Sequence, residues 1–139
     1  MTGKELQEAV NKLCLDMKAN LPGFLFCGIL NSAEGTIIAK ASSSPEFSTI
    51  AEETAPIFST IVAQVNQVKQ VVASNKGLGE LQLDFILIET NKITYVIGIS
   101  NLGKFFILLA LDRDKANLTI ARSLVEKSRP LAVILDEQL

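Results

Sequence analysis

Side chains that could act as nucleophiles or metal ligands are scarce in this chain of 139 residues. Histidine is absent, which removes serine or cysteine nucleophiles activated by histidine and also the usual zinc sites. The two cysteines, Cys14 and Cys27, are too few for a four-thiolate cluster, and both lie in apolar segments. We expect them to be small buried hydrophobic residues in a reducing compartment, since small secreted domains normally carry more cysteines.

Acidic residues and glycines form only fragments of known chemical motifs. Glu52 and Glu53 fall in a predicted helix, where a solvated face is more common than a general acid–base pair. Asp112 and Asp114 match only the opening of a calcium-binding loop, because the required glycine and distal glutamate do not follow. Gly77-Leu-Gly79 lacks the rest of the phosphate-binding glycine motifs and is interpreted as a helix stop. The sequence therefore predicts no catalytic residue, no metal ligand and no cofactor, and we expect a protein that is not an enzyme.

The amino-acid composition and net charge of the chain limit the classes of molecule that it could bind. With 48% hydrophobic and 20% charged residues, the chain has the composition of a globular domain. A formal charge of −2 argues against nucleic acid, whose binding proteins usually carry a basic surface. The longest apolar runs are too short to span a bilayer, and the first residues contain no signal-peptide core. We expect a cytoplasmic protein without membrane insertion, folded as one domain over residues 1–139 with its core at about 6–129.

Periodicity of apolar residues predicts the secondary structure. Spacings of three and four indicate helices, and alternation or short apolar runs between turn residues indicate strands. Three strands joined by short loops must be antiparallel neighbours. The fold class predicted is therefore α/β (α+β), a five-stranded antiparallel sheet with covering helices, in the order helix-strand-strand-helix-strand-strand-strand-helix. The predicted elements are a helix at Lys4–Leu21, strands at Phe24–Leu30 and Thr36–Ala41, a long helix at Phe47–Val72, strands at Leu81–Leu87, Ile93–Ile99 and Lys104–Leu111, and a helix at Leu118–Val125.

Several helix ends are marked by specific residues. Thr49 and Glu52 have the spacing of a capping box. Pro56 lies inside the long helical pattern and predicts either a kink or a helix start near Ala55. Asp114 is a candidate cap for the last helix. An apolar tail, residues 131–135, follows, and its sequence indicates no role for it.

The long helix carries more apolar residues than one sheet face needs. A wide apolar stripe left exposed on a monomer would favour aggregation, so we expect one side of this helix to pack on the sheet and the other on a second copy of the chain. The predicted contribution of this helix to a dimer interface is Ile61, Val62, Val65, Val68 and Val72.

Five short segments, taken in their order and spacing, give the sequence a resemblance to a known family. They are Leu21-Pro-Gly23, Gly28-Ile-Leu30, Glu34-Gly-Thr-Ile-Ile-Ala39, Gly77-Leu-Gly79-Glu80 and Ala116-Asn-Leu118. With these segments the chain resembles the roadblock family, which includes the roadblock-type dynein light chains and the bacterial MglB-like partners of small Ras-like GTPases. Thr119 departs from the pattern, because family members often have glycine there.

The resemblance implies a homodimer in which the third strands pair edge to edge and the long helices pack side by side. This arrangement adds Leu83 and Phe85 to the predicted dimer interface. It also implies binding of a small Ras-like GTPase, and in the MglB-like branch GTP hydrolysis is stimulated by remodelling the GTPase without donating a catalytic residue. The predicted partner-binding residues are Ser59, Thr60, Gln64, Gln67 and Gln70.

Two other functions remain open at this stage. One is a structural light chain or scaffold subunit of a motor or signalling complex. The other is a small-molecule sensor, which is disfavoured because the predicted interior is aliphatic and offers few polar groups to orient a ligand.

Overall fold

A computed structural model describes residues 2–75, 77 and 83–138 of the chain. It confirms the predicted mixed fold with a five-stranded antiparallel sheet, and it adds one helix near the C-terminus. None of the described helices is long and apolar enough to cross a membrane. The elements are α1 (Gly3–Asn20), β1 (Phe24–Asn31), β2 (Ile37–Ser42), α2 (Pro45–Ala73), β3 (Phe85–Glu89), β4 (Ile93–Ile99), β5 (Phe105–Asp112), α3 (Leu118–Lys127) and α4 (Arg129–Gln138).

The sheet has the strand order β2-β1-β5-β4-β3, and every neighbouring pair is antiparallel. The central strand β5 is almost entirely buried and its neighbour β1 largely so, as expected for apolar runs that are covered on both faces. The β1–β2 hairpin turns at Gly35, whose φ of +74° favours glycine. A Cβ at this position would also lie 3.0 Å from the carbonyl oxygen of Ala55, so the hairpin packs closely beneath α2.

Helices cover the sheet in two layers. On one face α1, α3 and α4 bury a core that includes Val10, Leu109 and Val125, and on the other face α2 buries Phe26, Val62 and neighbouring residues. Cys14 and Cys27 are free and fully buried in the first core, which confirms the burial expected from sequence. The pKa of the Cys27 thiol is raised, mainly by burial and further by Cys14.

The start of α2 corrects two predictions. The helix begins at Pro45, which occupies its first turn, and continues without interruption through Pro56 to Ala73. The predicted start near Ala55 was therefore wrong. The capping box was also wrong, because Thr49 lies within the helix and its hydroxyl donates to the carbonyl of Pro45 at 3.2 Å.

The C-terminal segment also differs from its prediction. Asn117, not Asp114, caps α3, since its side-chain oxygen accepts a hydrogen bond from the backbone N–H of Ile120 at 3.1 Å. The residues predicted as an apolar tail belong to α4. This helix is held by the buried carboxylate of Asp136, which accepts hydrogen bonds from the Ser100 hydroxyl at 2.8 Å and the Leu102 N–H at 2.9 Å.

Leu81 and Gln82 of the predicted third strand lie outside the described residues, as do the last three residues of the Gly77–Glu80 segment. Within the described part, β3 begins at Phe85, and Leu83 and Asp84 precede it.

Candidate protein-interaction surface

The side of α2 that faces the sheet is formed by Ala51, Ala55, Phe58 and Val62. Val62 is fully buried against the sheet of its own protomer. Its side chain therefore has no surface that a second copy could cover, and its assignment to a dimer interface was wrong. The periodicity of the sequence showed that α2 is apolar over a wide arc, but it did not show which edge of that arc meets the sheet.

A second apolar face of α2 points away from the sheet. We call the α2 apolar strip the set Ile50, Ile57, Ile61, Val68 and Val71, whose spacings in α2 place them along one line of the helix. Four of the five are large exposed hydrophobic residues, among them Ile57 at 60% and Val71 at 72%. The strip contains the predicted interface residues Ile61 and Val68. It also contains Ile57, which was not among the predicted interface residues.

The remaining predicted interface residues of α2, Val65 and Val72, are half-buried. They lie between the strip and the sheet-facing side, so they could contribute only the edge of a contact made through the strip.

The strip lies on the side of α2 nearer β3. On the opposite flank of the helix, Glu52 forms an ion pair with Lys40 of β2. On the near side, the ring of Phe58 packs against Tyr95 of β4 with the ring centroids 5.1 Å apart. Two half-buried isoleucines of β3, Ile86 and Ile88, belong to the same side of the sheet. The strip and the outer edge of β3 therefore lie toward the same side of the domain, with β5 and β4 between β3 and the strands beneath α2.

The outer edge of β3 is open among the described residues, since β4 is the strand that pairs with it. Leu87, in the middle of β3, is 50% exposed. An apolar strand with unpaired backbone N–H and C=O groups is a template for pairing with another strand. This unpaired edge is the described feature to which a strand of another chain could pair most directly.

The side chains of Leu83 and Phe85 face opposite sides of the sheet. Leu83 packs with the core beneath α2, whereas Phe85 packs with the core beneath the other helices. The guanidinium carbons of Arg122 and Arg129 lie 5.0 Å and 5.5 Å from the centroid of the Phe85 ring, a cation–π arrangement. Arg129 also donates to the carbonyl of Asp84 at 3.1 Å, so it fixes the start of the edge strand. The sequence offered no signal for this role of Arg129.

The predicted partner-binding residues do not form one cluster. Ser59 is buried and its hydroxyl donates to the carbonyl of Pro56 at 2.9 Å, so its assignment as a surface residue was wrong. Thr60 is exposed, but its hydroxyl donates to the same carbonyl at 3.0 Å. The other three predicted residues, Gln64, Gln67 and Gln70, are exposed. Their spacing of three places each one farther round the helix axis than the one before it, so the three do not lie along one line. Gln64 lies within the line of the apolar strip.

No group of three or more acidic or cysteine side chains that could hold a metal ion occurs in the described part of the chain. Two pockets that are partly open to solvent, of about 30 Å³ and about 40 Å³, can hold a water molecule or two but no larger ligand. The chemistry that this surface offers is apolar contact, backbone pairing at a strand edge and hydrogen bonding by amides.

Comparison with solved structures identifies the fold. No family model and no curated protein matches the sequence. Myxococcus xanthus MglB aligns with a TM-score of 0.69 at 17% identity, covering 99% of this chain and 94% of that one. The gliding protein MglB from Thermus thermophilus aligns with a TM-score of 0.70 at 12% identity, covering 100% and 96%. A Roadblock/LC7 domain from Streptomyces avermitilis aligns with a TM-score of 0.61 at 13% identity, covering 86% and 94%. The chain has the roadblock fold, as the sequence resemblance implied.

Proposed function

We propose that this chain is a non-catalytic, homodimeric protein-binding module that regulates a small Ras-like GTPase. The observation that carries the proposal is that the α2 apolar strip and the open edge of β3 lie toward the same side of the domain. A surface of this kind is self-complementary: a two-fold axis beside β3 would pair the two edges and bring the two strips together. Both features would be liabilities in a protein that remained a monomer.

The strip is suited to an interface because its residues are large and apolar, and four of the five are about half exposed or more. Fully burying one aliphatic side chain of this size contributes roughly 1.5–3 kcal/mol. Five such residues from each protomer, together with strand pairing, would form an apolar centre of the kind that dimer interfaces have.

The GTPase part of the proposal rests on the roadblock fold and on the absence of chemistry in the described residues. The two MglB structures, like the Roadblock/LC7 domain, align with nearly all of their own length. In a regulator that remodels its GTPase, the groups that react would belong to the GTPase. Exposed amides such as Gln67, beside an apolar strip, remain soluble when unbound and can form hydrogen bonds when a partner covers them.

Paired substitutions on one helix test the dimer. We expect Val68→Asp to abolish dimerisation, because an unpaired charge in an apolar interface costs several kcal/mol. Gln67→Asp, the adjacent exposed position outside the strip, is the matched control and should change the dimer constant by less than about threefold. Gln64 is not a suitable control, since it lies in the line of the strip.

The partner is tested with the small Ras-like GTPases encoded in the same genome, each loaded with GDP or with a non-hydrolysable GTP analogue. We expect the dimer to capture one of them in a nucleotide-dependent manner, and Val68→Asp to lose that capture. A dimer that captures none of them would support the scaffold function and contradict GTPase regulation.

A further inference from the structure

The backbone of β3 alternates between groups that bond to β4 and groups that face the open edge of the sheet. The N–H of Ile99 donates to the carbonyl of Asp84 at 3.3 Å, and the N–H of Thr90 donates to the carbonyl of Ile93 at 2.9 Å. Both bonds continue the register of β3 on β4, which has no shift, so the even-numbered residues of β3 direct their backbone groups to β4. The odd-numbered residues therefore face the open edge. They are Phe85, Leu87 and Glu89.

A two-fold axis allows few registers for pairing two such edges. Antiparallel strands bond through residues that lie directly opposite each other, so each outward-facing residue must meet an outward-facing residue of the second copy. A register centred on Leu87 places the two Leu87 residues opposite each other and Phe85 opposite Glu89, so that all three outward-facing residues are paired. Centring on Ile86 or Ile88 places one of the three opposite a residue outside the strand. Centring on Glu89 opposes two like charges, which is destabilising.

The register centred on Leu87 also brings opposite charges together on the face of the sheet that α3 covers. Phe85 packs on that face, and the guanidinium carbon of Arg122 lies 5.0 Å from the centroid of its ring. Side chains two residues apart in a strand share a face, and a two-fold axis perpendicular to the sheet preserves it, so Glu89 of the second copy lies on the α3 side as well. Its Cβ would be about 4.5–5.5 Å from that of Phe85. The carboxylate is therefore within reach of Arg122.

Both charged groups are available for such a contact. Glu89 and Arg122 are exposed, and neither forms an ion pair with another described residue of its own protomer. The second arginine over the Phe85 ring, Arg129, is instead paired with two acidic side chains of its own protomer. A pocket of about 250 Å³ lies between Leu87 and Arg122, which leaves space for side chains of the second copy.

We infer that two copies pair through β3 in the register centred on Leu87, and that Glu89 of each copy forms an ion pair with Arg122 of the other. The inference rests on the homodimer proposed above and specifies the contacts by which one copy recognises another. The two-fold axis repeats the ion pair, so each substitution changes two contacts. Exposed ion pairs add little to affinity, and their main effect is to select the partner and the register.

Charge reversal in the full chain tests the ion pair. Glu89→Arg and Arg122→Glu should each raise the dissociation constant of the homodimer about tenfold, because each replaces two attractive contacts by two repulsive ones. An equimolar mixture of the two variants restores two attractive contacts in the heterodimer, so native mass spectrometry should find that about nine-tenths of the dimers are heterodimers.

The matched control is Lys127→Glu, which makes the same change of charge at another exposed position of α3. It should leave the dissociation constant of its homodimer within about twofold of the original value. Mixed with Glu89→Arg, it should give heterodimers in about the half expected from random pairing, because it restores no attractive contact.

A cysteine at the centre of the edge tests the register. Leu87→Cys should form a covalent dimer when treated with diamide, because residues bonded directly opposite each other have Cα atoms about 5.5 Å apart, which suits a disulfide. Lys92→Cys, at an exposed position in the β3–β4 turn, should form none, since this register places the two copies of that position roughly 30 Å apart.

The outcomes separate this inference from the proposed function. A chain that is monomeric at tens of micromolar would contradict the homodimer and the inference together. A stable dimer whose two charge-reversed variants pair at random would overturn the ion pair alone. A stable dimer in which Leu87→Cys does not cross-link would overturn the register.

Discussion

Truncation of Ile57 tests whether the α2 apolar strip is buried in a dimer. Ile57→Ala removes three carbon atoms, each worth ~0.8 kcal/mol when transferred from water to a buried site. The side chain is 60% exposed in the protomer, so the part that a partner can still bury corresponds to ~1.4 kcal/mol. A two-fold dimer contains the substitution twice, which gives ~3 kcal/mol and a dissociation constant about 100-fold higher.

Sedimentation equilibrium over a range of concentrations measures this constant directly. Gln67→Ala, on the same helix but outside the strip, should leave it within about twofold of the original value. Val62→Ala provides the opposite control, because Val62 is buried within the protomer and should lose ~2 kcal/mol of folding stability instead. If Ile57→Ala left the dissociation constant of a stable dimer unchanged, the strip would lie outside the interface and the reasoning would be refuted.

Two other predictions concern the interior. Asp136→Ala should lower the free energy of unfolding by about 3–5 kcal/mol, because it leaves the buried hydrogen-bond donors at Ser100 and Leu102 without their charged acceptor. The control Glu137→Ala, at the exposed neighbouring position, should change the free energy of unfolding by less than about 0.5 kcal/mol. Equal effects of the two substitutions in chemical denaturation would show that Asp136 does not anchor α4. The raised pKa of Cys27 means that the unfolded chain releases the thiol proton at lower pH than the folded chain, so stability should fall as pH rises above about 8.5. Replacement of Cys27 by alanine should flatten that part of the stability profile, and an unchanged slope would contradict the assignment.

The sequence predicted the elements of the fold because their signals are local. Periodicity separated helices from strands, and short loops required antiparallel neighbours. The long helix was predicted from Phe47 despite Pro56, but the alternative start near Ala55 was wrong, because a proline inside a helix and a proline in its first turn, such as Pro45, leave similar signals. The cap of α3 was misplaced for a related reason, since Asp114 and Asn117 are both acceptable cap residues and only the geometry chooses between them.

Features that depend on contacts between residues far apart in the sequence could not be predicted from these local patterns. Burial of Val62 and exposure of Ile57 depend on how α2 is rotated over the sheet, which the periodicity of α2 leaves undetermined. The role of the C-terminal helix depends on Asp136 meeting Ser100, a contact between residues far apart in the chain.

The central claim is a homodimer that binds a small Ras-like GTPase, and light scattering coupled to size-exclusion chromatography tests it most directly. At tens of micromolar the chain alone should elute with twice its mass of 15.1 kDa. Mixed with its GTPase in the GTP-analogue state, it should elute as a complex with the mass of two chains and one GTPase, since a single asymmetric partner would cover the two-fold axis. A 15.1 kDa species that remains monomeric at these concentrations, with or without the GTPases of its genome, would contradict the account.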